Sequence, residues 1–147
     1  MKLSTRARYG TRALLDLALN NGDNPVQLKD IAQRQEISLA YLEHIVSPLV
    51  GAGIVSSTRG VGGGLRLSRD PEDIDLAEVV GLLEGTLIPV QCVGSPEVCN
   101  RVEGCVTREV WDELGRVIDG YLKSITLKDL VERHRAKEGC TRPMYHI

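Results

Sequence analysis

The sequence predicts a mainly α-helical fold with one small β-hairpin, and three observations support this class. Phe is absent and the aromatic residues are one Trp and four Tyr, so the core must be packed from Leu, Ile, Val and Ala. Apolar residues recur at three- and four-residue intervals over most of the chain, which is the spacing of a buried helix face. The glycine-rich residues 60–64 lie between two short alternating segments and predict a hairpin.

The length and charge of the chain limit what it can be. Its 147 residues suit one domain, or one small domain with a helical arm. Residues 1–69 hold nine Lys and Arg against five Asp and Glu, whereas residues 70–147 hold nine against fifteen. A basic first half fits a part that faces DNA, although ordinary solvated surfaces can differ by as much. No segment approaches the roughly 18 apolar residues of a membrane span, so we expect a soluble, cytoplasmic protein with no membrane partner.

Residues 5–19 predict the first helix. Its apolar face is formed by Tyr9, Ala13, Leu14, Leu17 and Ala18. Arg6, Arg8 and Arg12 fall largely on other faces, where they could contact phosphates or simply be solvated. Residues 20–25 carry turn residues that end the helix.

A pair of short helices follows. Residues 28–35 predict the second helix, and a tight connection leads to Ser38, whose hydroxyl can cap the third. The third helix should bury Leu42, Ile45, Val46, Leu49 and Val50 and expose Ala40, Tyr41, Glu43, His44 and Ser47. Two short helices with a polar outer face on the second are typical of a motif that enters the major groove of DNA. Pro48 predicts a kink or an early end of this helix.

The predicted hairpin comes directly after the helix pair, in the place of the wing of a winged helix-turn-helix. Arg59 lies at its base, and a guanidinium there could enter the minor groove. The alternatives for the glycines are a phosphate-binding loop or plain flexibility. A nucleotide-binding loop would require the order GxxxxGKS or GxxxxGKT, or a following helix, and neither occurs.

The second half contains a loop and a long helix. Asp75 caps a helix that ends at Gly85, residues 86–106 form a loop with three cysteines, and residues 107–135 hold a long helix and a short terminal helix. The long helix carries an apolar stripe wider than a small domain covers, which indicates dimerisation. Residues 136–147 are polar and aperiodic, so we expect a loose tail after a winged helix-turn-helix domain at residues 1–85.

Cys92, Cys99 and Cys105 are candidate metal ligands. Soft thiolates select iron-sulfur clusters, zinc or copper(I). The six and five residues between them exceed the two to four of a typical zinc pair, and the intervening Gly and Pro suit a loop around a larger object. The alternative is reduced thiols without metal, or a redox pair.

These motifs together resemble the iron-sulfur cluster regulator (IscR) family of bacterial transcription factors. The resemblance covers about residues 1–133. It is carried by Lys2-Leu3-Ser4, Arg8-Tyr9-Gly10, Pro25-Val26, Ile31-Ala32, Ile37-Ser38, Tyr41-Leu42-Glu43, Arg59-Gly60, the glycines at 62–64, Leu83-Glu84-Gly85, the three cysteines and Ile125-Thr126-Leu127.

The resemblance implies a homodimer whose long helices cross between subunits and whose two winged helices read a palindromic operator in double-stranded DNA. It implies base contacts from positions 40, 43 and 44 and from the wing arginine. The DNA-binding residues that we expect are Ser38, Ala40, Tyr41, Glu43, His44, Arg59 and Gly60. Ala40 and His44 stand where relatives often have Ser and Gln, so the operator sequence does not carry over.

The resemblance also implies a 2Fe-2S cluster, or alternatively a 4Fe-4S cluster, on the three cysteines. In the family the fourth ligand is a His three residues after the third cysteine, or an acidic residue at the start of the first helix of the other subunit. Arg108 and Arg8 occupy these positions here, and a guanidinium cannot donate a lone pair to iron. The remaining candidates are Glu103, Thr107, Glu109, Asp112 and, if the tail folds back, Cys140.

The function expected from the sequence is a cluster-sensing transcriptional regulator, with repression of iron-sulfur biogenesis or stress genes as the expected mode. The first alternative is a winged-helix regulator that responds to thiol oxidation or a small effector without a cluster. A more remote alternative is an iron-sulfur carrier. We do not expect an enzyme, because no nucleophile–base pair or paired-carboxylate site is evident.

Overall fold

The computed structural model describes residues 2–141 and has seven α-helices and one β-hairpin in this range. The order is α1 (Thr5–Leu19), α2 (Leu28–Gln35), α3 (Leu39–Gly51), β1 (Val55–Thr58), β2 (Gly64–Leu67), α4 (Leu76–Glu84), α5 (Gln91–Gly94), α6 (Val106–Lys123) and α7 (Leu127–Thr141). Single 3-10 turns occupy Pro71–Asp73, Pro96–Val98 and Val102–Gly104. The predicted winged helix-turn-helix with a long C-terminal helix is confirmed.

The core is built from the inward faces of the first four helices and the hairpin. Its fully buried side chains are branched aliphatics, among them Leu17, Ile31, Leu42, Ile45, Leu49, Ile54, Ile74 and Val79, with Leu127 contributed by α7. Gly10 lets α1 approach α4 closely, because a Cβ at this position would lie 2.2 Å from Cδ1 of Leu83. This core fixes the helix pair α2–α3 against α1.

Side-chain caps define several helix starts, as the sequence predicts. The Ser38 hydroxyl accepts from the Tyr41 N–H at 3.3 Å, and the Asp75 carboxylate accepts from the Glu78 N–H at 2.9 Å. Thr126 and Asp129 form a reciprocal capping box before α7. These contacts satisfy amide hydrogens that the first turn of a helix leaves without partners.

The wing is fastened to the loop between α1 and α2, a connection that the sequence did not reveal. Val26 and Leu65 exchange two backbone hydrogen bonds of 2.9 and 2.7 Å, which adds a third short strand segment beside β2. Gly64 is required here because a Cβ would lie 2.6 Å from the Val26 oxygen. The Arg66 guanidinium also donates to the carbonyl oxygens of Gly22 and Asp23.

Three sequence predictions need correction or a limit. The helix α3 continues past Pro48 to Gly51, so it does not end early, and Val50 is 37% exposed and not part of the core. Helix α7 does not end near Arg135 but runs to Thr141, so residues 136–141 are not a loose tail. The buried apolar residues of this helix, Leu127 and Val131, lie in its first half, and the polar residues that follow show no apolar periodicity. Residues 142–147 lie outside the described range.

The segment from 84 to 124 is built differently from the rest. It contains no buried residue, although α6 packs along α4 through its half-buried face. Among the described residues, no helix has the length and apolar character needed to cross a membrane.

Candidate DNA interface and cysteine loop

Helix α3 presents one face to the core and the other to solvent. The buried face is Leu42, Ile45, Val46 and Leu49. Ala40, Glu43 and His44 are exposed, as predicted, because the 3.6-residue repeat turns them away from these four. Ser38, the residue that caps the helix, is also exposed. Glu43 and His44 form no hydrogen bond or ion pair with any described residue. Their polar atoms are therefore available for base edges.

Tyr41 differs from the other residues predicted on this face. It is half-buried, and its ring meets that of Tyr9 edge-on, with a centroid distance of 6.2 Å and an interplanar angle of 77°. This contact ties the first turn of α3 to α1.

The wing exposes its tip and one free cation. Arg59 and Gly60 follow β1 and are exposed, and the Arg59 guanidinium has no partner among the described residues. Gly60 and Gly62 have φ values of +95° and +78°, a region that glycine occupies without strain. The α3–β1 connection is short, and the Ile54 N–H donates to the Leu49 oxygen at 3.0 Å. The wing therefore follows the predicted recognition helix through a short, hydrogen-bonded connection.

The three arginines of α1 have different environments. Arg12 is engaged within the protein: its Nε donates to Oε1 of Gln35 at 3.1 Å and its Nη2 to the Gln35 carbonyl oxygen at 2.6 Å. Among the described residues, the Arg8 guanidinium bonds only to the hydroxyl of Thr5, at 3.3 Å. Arg6 is exposed and has no partner among the described residues. The phosphate-contact hypothesis therefore stays open for Arg6 and Arg8 and is disfavoured for Arg12.

The three cysteines lie on short, unburied pieces of chain. Cys92 is in the single turn of α5, Cys99 follows a 3-10 turn, and Cys105 is the residue that precedes α6. All three are half-buried free thiols. Within residues 2–141, no group of three or more His, Cys, Asp and Glu side chains is placed so that it could hold a metal ion. The donor chemistry suits a cluster, but the sulfur atoms are not assembled around one.

Cys105 has the most distinctive environment of the three. Its sulfur lies 3.2 Å from the hydroxyl oxygen of Thr107. Hydrogen bonding from the Thr107 side chain, followed by the backbone N–H of Arg108, lowers the pKa of the Cys105 thiol. The thiolate, which is the form that binds metal or reacts with oxidants, is therefore favoured at this position.

The residues considered for the fourth ligand are used in several ways. The Nε of Arg108 donates to the carbonyl oxygen of Cys92 at 2.9 Å and so joins the two ends of the cysteine loop. Asp112 pairs with Arg116 on the same helix. Glu103, Thr107 and Glu109 are exposed, and the side chain of Cys140 lies outside the described part of the chain. The sequence did not predict this hydrogen bond of Arg108. It indicated only that an arginine replaces the histidine ligand of the family at this position.

An apolar stripe runs along the outer face of α6. Its members are Val106, Val110, Trp111, Leu114, Val117 and Tyr121, each between 39% and 72% exposed. Beside it, a cavity of about 490 Å³ opens between α4, α6 and the loop of residues 85–89, lined in part by Gly81, Gly85 and Gly115. An apolar face of this length on one long helix is typical of an interface between subunits.

Comparisons with known proteins agree with this architecture. A family model for Rrf2, described as an iron-dependent transcriptional regulator, matches residues 3–133. The protein rrf2 of Nitratidesulfovibrio vulgaris is 45% identical over 131 residues, which are 89% of this chain and 87% of that protein. The structure of CymR, the global cysteine regulator of B. subtilis, superposes with a TM-score of 0.78 at 37% identity, covering 90% of this chain and 98% of that one. For T. potens IscR the TM-score is 0.77 at 36% identity, with 99% and 95% covered.

Proposed function

The chain belongs to the Rrf2 family of iron-dependent transcriptional regulators, and on this premise we propose that it is a homodimeric repressor that reads a palindromic operator and senses an iron-sulfur cluster. Its family and its similar structures are DNA-binding transcriptional regulators, not enzymes. The finer parts of the proposal concern the interface residues, the dimer, the cluster and the regulated genes, for which we propose iron-sulfur biogenesis or stress genes.

The observation that carries the proposal is the exposed outer face of α3 next to a wing with a free arginine. Glu43 can accept from the amino group of cytosine in the major groove, and His44 can donate or accept there. Arg59 suits the negative potential of a narrow minor groove. Ser38, Ala40, Tyr41 and Gly60 complete the proposed interface and would contact sugar, phosphate or thymine methyl groups.

The proposed dimer follows from the apolar stripe of α6. Two copies of this helix would cover each other's stripe, and a two-fold axis between them would direct two recognition helices at one DNA duplex. The operator should then consist of inverted half-sites about 10 base pairs apart, or a multiple of that spacing.

The cluster proposal is supported by the chemistry of the cysteine loop. Cys92, Cys99 and Cys105 would hold the group, as a 2Fe-2S cluster or alternatively a 4Fe-4S cluster, and when bound it would supply sensitivity to iron, oxygen or redox state. The loop consists of single turns with no buried residue to fix it, so its sulfur atoms are free to be drawn together. Arg108 holds the Cys92 end close to the start of α6, where Cys105 lies.

Operator binding can be tested by selecting duplexes from a random pool and then measuring the affinity of variants. Replacing Glu43 or Arg59 by Ala should cost about 1–3 kcal/mol in operator affinity and relax the base preference at one position. Glu132→Ala, on the exposed surface of α7, is the matched control and should leave affinity unchanged. If the Glu43 and Arg59 variants bind the selected operator with the same affinity as the native protein, these contacts are refuted.

The cluster can be tested separately on protein isolated without oxygen. Visible absorbance with iron and sulfide in stoichiometric amounts is expected for the native chain. Single Ala substitutions of the three cysteines should remove the absorbance and leave the helical content unchanged. A colourless native protein whose operator affinity is unaffected by all three substitutions would exclude cluster sensing.

A second candidate is regulation by thiol oxidation without a cluster. It is supported by the lowered pKa of the Cys105 thiol, because the thiolate is the form that reacts with oxidants. Among the similar structures is Staphylococcus aureus CymR in an oxidised form, at 32% identity and a TM-score of 0.73. Disulfide formation that releases the operator and is reversed by a reductant, in protein free of iron, would support this alternative over the cluster.

A further inference from the structure

Asp16 is an ionisable side chain inside an otherwise apolar core. It is 4% exposed and lies on the inward face of α1 beside Ala13, Leu14 and Leu17, which are also buried. No other polar or charged residue within the described range is buried to this degree. A carboxylate in such a place costs free energy unless its oxygens have good partners.

Both carboxylate oxygens of Asp16 receive donors from the end of α2. The Arg34 guanidinium binds in a two-pronged manner, with Nη2 at 2.6 Å from Oδ1 and Nε at 2.9 Å from Oδ2. The side-chain amide of Gln35 donates to Oδ2 at 2.9 Å. The last two residues of α2 are therefore held at defined distances from one point on α1.

Arg12, one turn earlier on α1, holds Gln35 from the other side. It donates both to the side-chain oxygen and to the main-chain carbonyl of this residue. The next residue, Glu36, has φ +55° and turns the chain toward α3. Gln35 is thus clamped between Asp16 and Arg12 immediately before the turn of the helix pair.

The polar contacts continue to the recognition helix through two tyrosines. The Arg12 guanidinium carbon lies 5.4 Å from the centre of the Tyr9 ring. Tyr9 in turn meets Tyr41 edge-on in the first turn of α3. We call the set of Asp16, Arg12, Arg34, Gln35, Tyr9 and Tyr41 the Asp16 network.

We propose that the Asp16 network positions the recognition helix, so that Asp16 and Arg12 determine how well the protein discriminates its operator from other DNA. The inference rests on the proposed operator binding and adds Asp16 and Arg12, which are not among the proposed DNA contacts, as positioning residues. Apolar packing is non-directional, so the aliphatic contacts of α1 with α2 and α3 set the orientation of these helices less strictly than polar contacts do. Two-pronged ion pairs and short hydrogen bonds require a fixed geometry, so they restrict rotation of one helix relative to another.

The contacts that stabilise α3 suggest that the Asp16 network sets the orientation of this helix and is not needed for its folding. Leu42, Ile45 and Leu49 anchor α3 through full burial, so α3 does not need the network in order to fold. Replacing a buried ion pair by apolar residues is often neutral or even stabilising. Base contacts, by contrast, require side chains placed to within about 0.5 Å. The Asp16 network acts on orientation, where small errors matter most.

The test compares affinity for the selected operator with affinity for a scrambled duplex of equal length. Asp16→Asn and Arg12→Gln should each reduce the ratio of the two affinities by about tenfold, which corresponds to about 1.4 kcal/mol. Affinity for the scrambled duplex should not change, because phosphate contacts tolerate small rotations. Glu72→Gln, which removes an exposed ion pair with Lys128, is the control and should keep the native ratio.

Two further variants separate positioning from stability. The double substitution Asp16→Leu with Arg34→Leu should keep the thermal midpoint near that of the native chain and still lose discrimination. Arg34→Lys keeps the charge but not the two-pronged geometry and should lie between the native chain and Asp16→Asn. Because Arg12 is exposed, Arg12→Gln should fold even if the Asp16 variants do not.

A readout without DNA distinguishes failure of this inference from failure of the proposed function. In the DNA-free protein, Arg12→Gln should shift the backbone amide resonances of Tyr41 and Glu43 while leaving those of α4 in place. Unchanged resonances together with an unchanged affinity ratio in folded variants would overturn the positioning role. Shifted resonances in a protein that selects no duplex would instead refute operator binding and leave the positioning intact.

Discussion

Residues 2–83 and residues 84–124 differ in how much of their apolar side-chain surface is buried within the chain. The first contains nearly all of the core, with Leu42, Ile45, Ile54 and Ile74 at 0% exposed. The second contains no buried residue, and on its long helix Val117 is 64% exposed. Both regions have many aliphatic residues, so composition does not explain the difference.

The difference in burial suggests that the exposed groups of the two regions have different binding partners. The first region is covered by its own apolar side chains together with Leu127 of α7, and its exposed polar groups on α3 and the wing are where we propose that DNA binds. The second region leaves an apolar stripe and three thiols uncovered. A second subunit would cover the stripe, and a cluster would occupy the thiols. We therefore propose that the structure of residues 84–124 depends on dimerisation and on whether the thiols hold a cluster.

The largest expected effect is a cavity in the first region. Leu42→Ala should lower the free energy of unfolding by about 2–5 kcal/mol, because the buried site cannot fully collapse. The matched substitution in the second region is Val98→Ala, at a side chain that is 57% exposed, and it should change stability by less than about 0.5 kcal/mol. Urea unfolding followed by circular dichroism measures both. Similar losses would mean that the two regions do not differ in burial.

The second-largest expected effect concerns the proposed subunit interface on α6. Val117→Asp puts a charge into the proposed subunit interface and should weaken the dimer by at least about 2 kcal/mol, or about 30-fold in the dissociation constant. Glu132→Ala, at an exposed position on α7 outside the stripe, is the control and should leave the dimer intact. Sedimentation equilibrium distinguishes them. If Val117→Asp stays dimeric at nanomolar concentration, another surface joins the subunits.

The sequence was most informative where local periodicity determines the structure. The spacing of Leu42, Ile45, Val46 and Leu49 predicted which face of α3 would be exposed, and Ser38 and Asp75 predicted their caps. Helix α7 beyond Arg135 was missed, since helical periodicity is visible only where one face is apolar.

Long-range polar contacts were not predictable. Asp16 interrupts an apolar face and gives no signal in a pattern of apolar spacings. Arg12 was considered as a phosphate contact or a solvated residue, but its partner Gln35 is 23 positions away. The same holds for Arg108, whose bond to the Cys92 carbonyl spans 16 positions. Each of these contacts depends on the packing of two helices, which no local pattern encodes.

An intermediate effect tests how the second region is attached to the first through α4. Asp75→Ala removes the hydrogen bond to the Glu78 N–H at the start of this helix and should cost about 0.5–2 kcal/mol of stability. Asp75→Asn keeps an acceptor and should recover most of the loss. Thermal unfolding of the two variants gives the comparison. A loss that Asn does not reduce would mean that the charge, and not the cap, is responsible.

The smallest expected effect concerns an ion pair that joins α7 to the first region. Lys128 lies 2.8 Å from the Glu72 carboxylate, and their hydrogen bond lowers the pKa of Glu72 and raises the pKa of Lys128. Because the folded-state pKa of Glu72 is below its unfolded value, the pair stabilises the fold above the unfolded pKa, and this contribution disappears as the pH falls through the folded pKa. Glu72→Gln should therefore lower the thermal midpoint slightly at neutral pH and not at all in acid below that range. Both groups are exposed, so 1 M salt should remove most of the difference by screening. A deficit that persists in acid would mean that Glu72 acts through its packing against α7 and not through its charge.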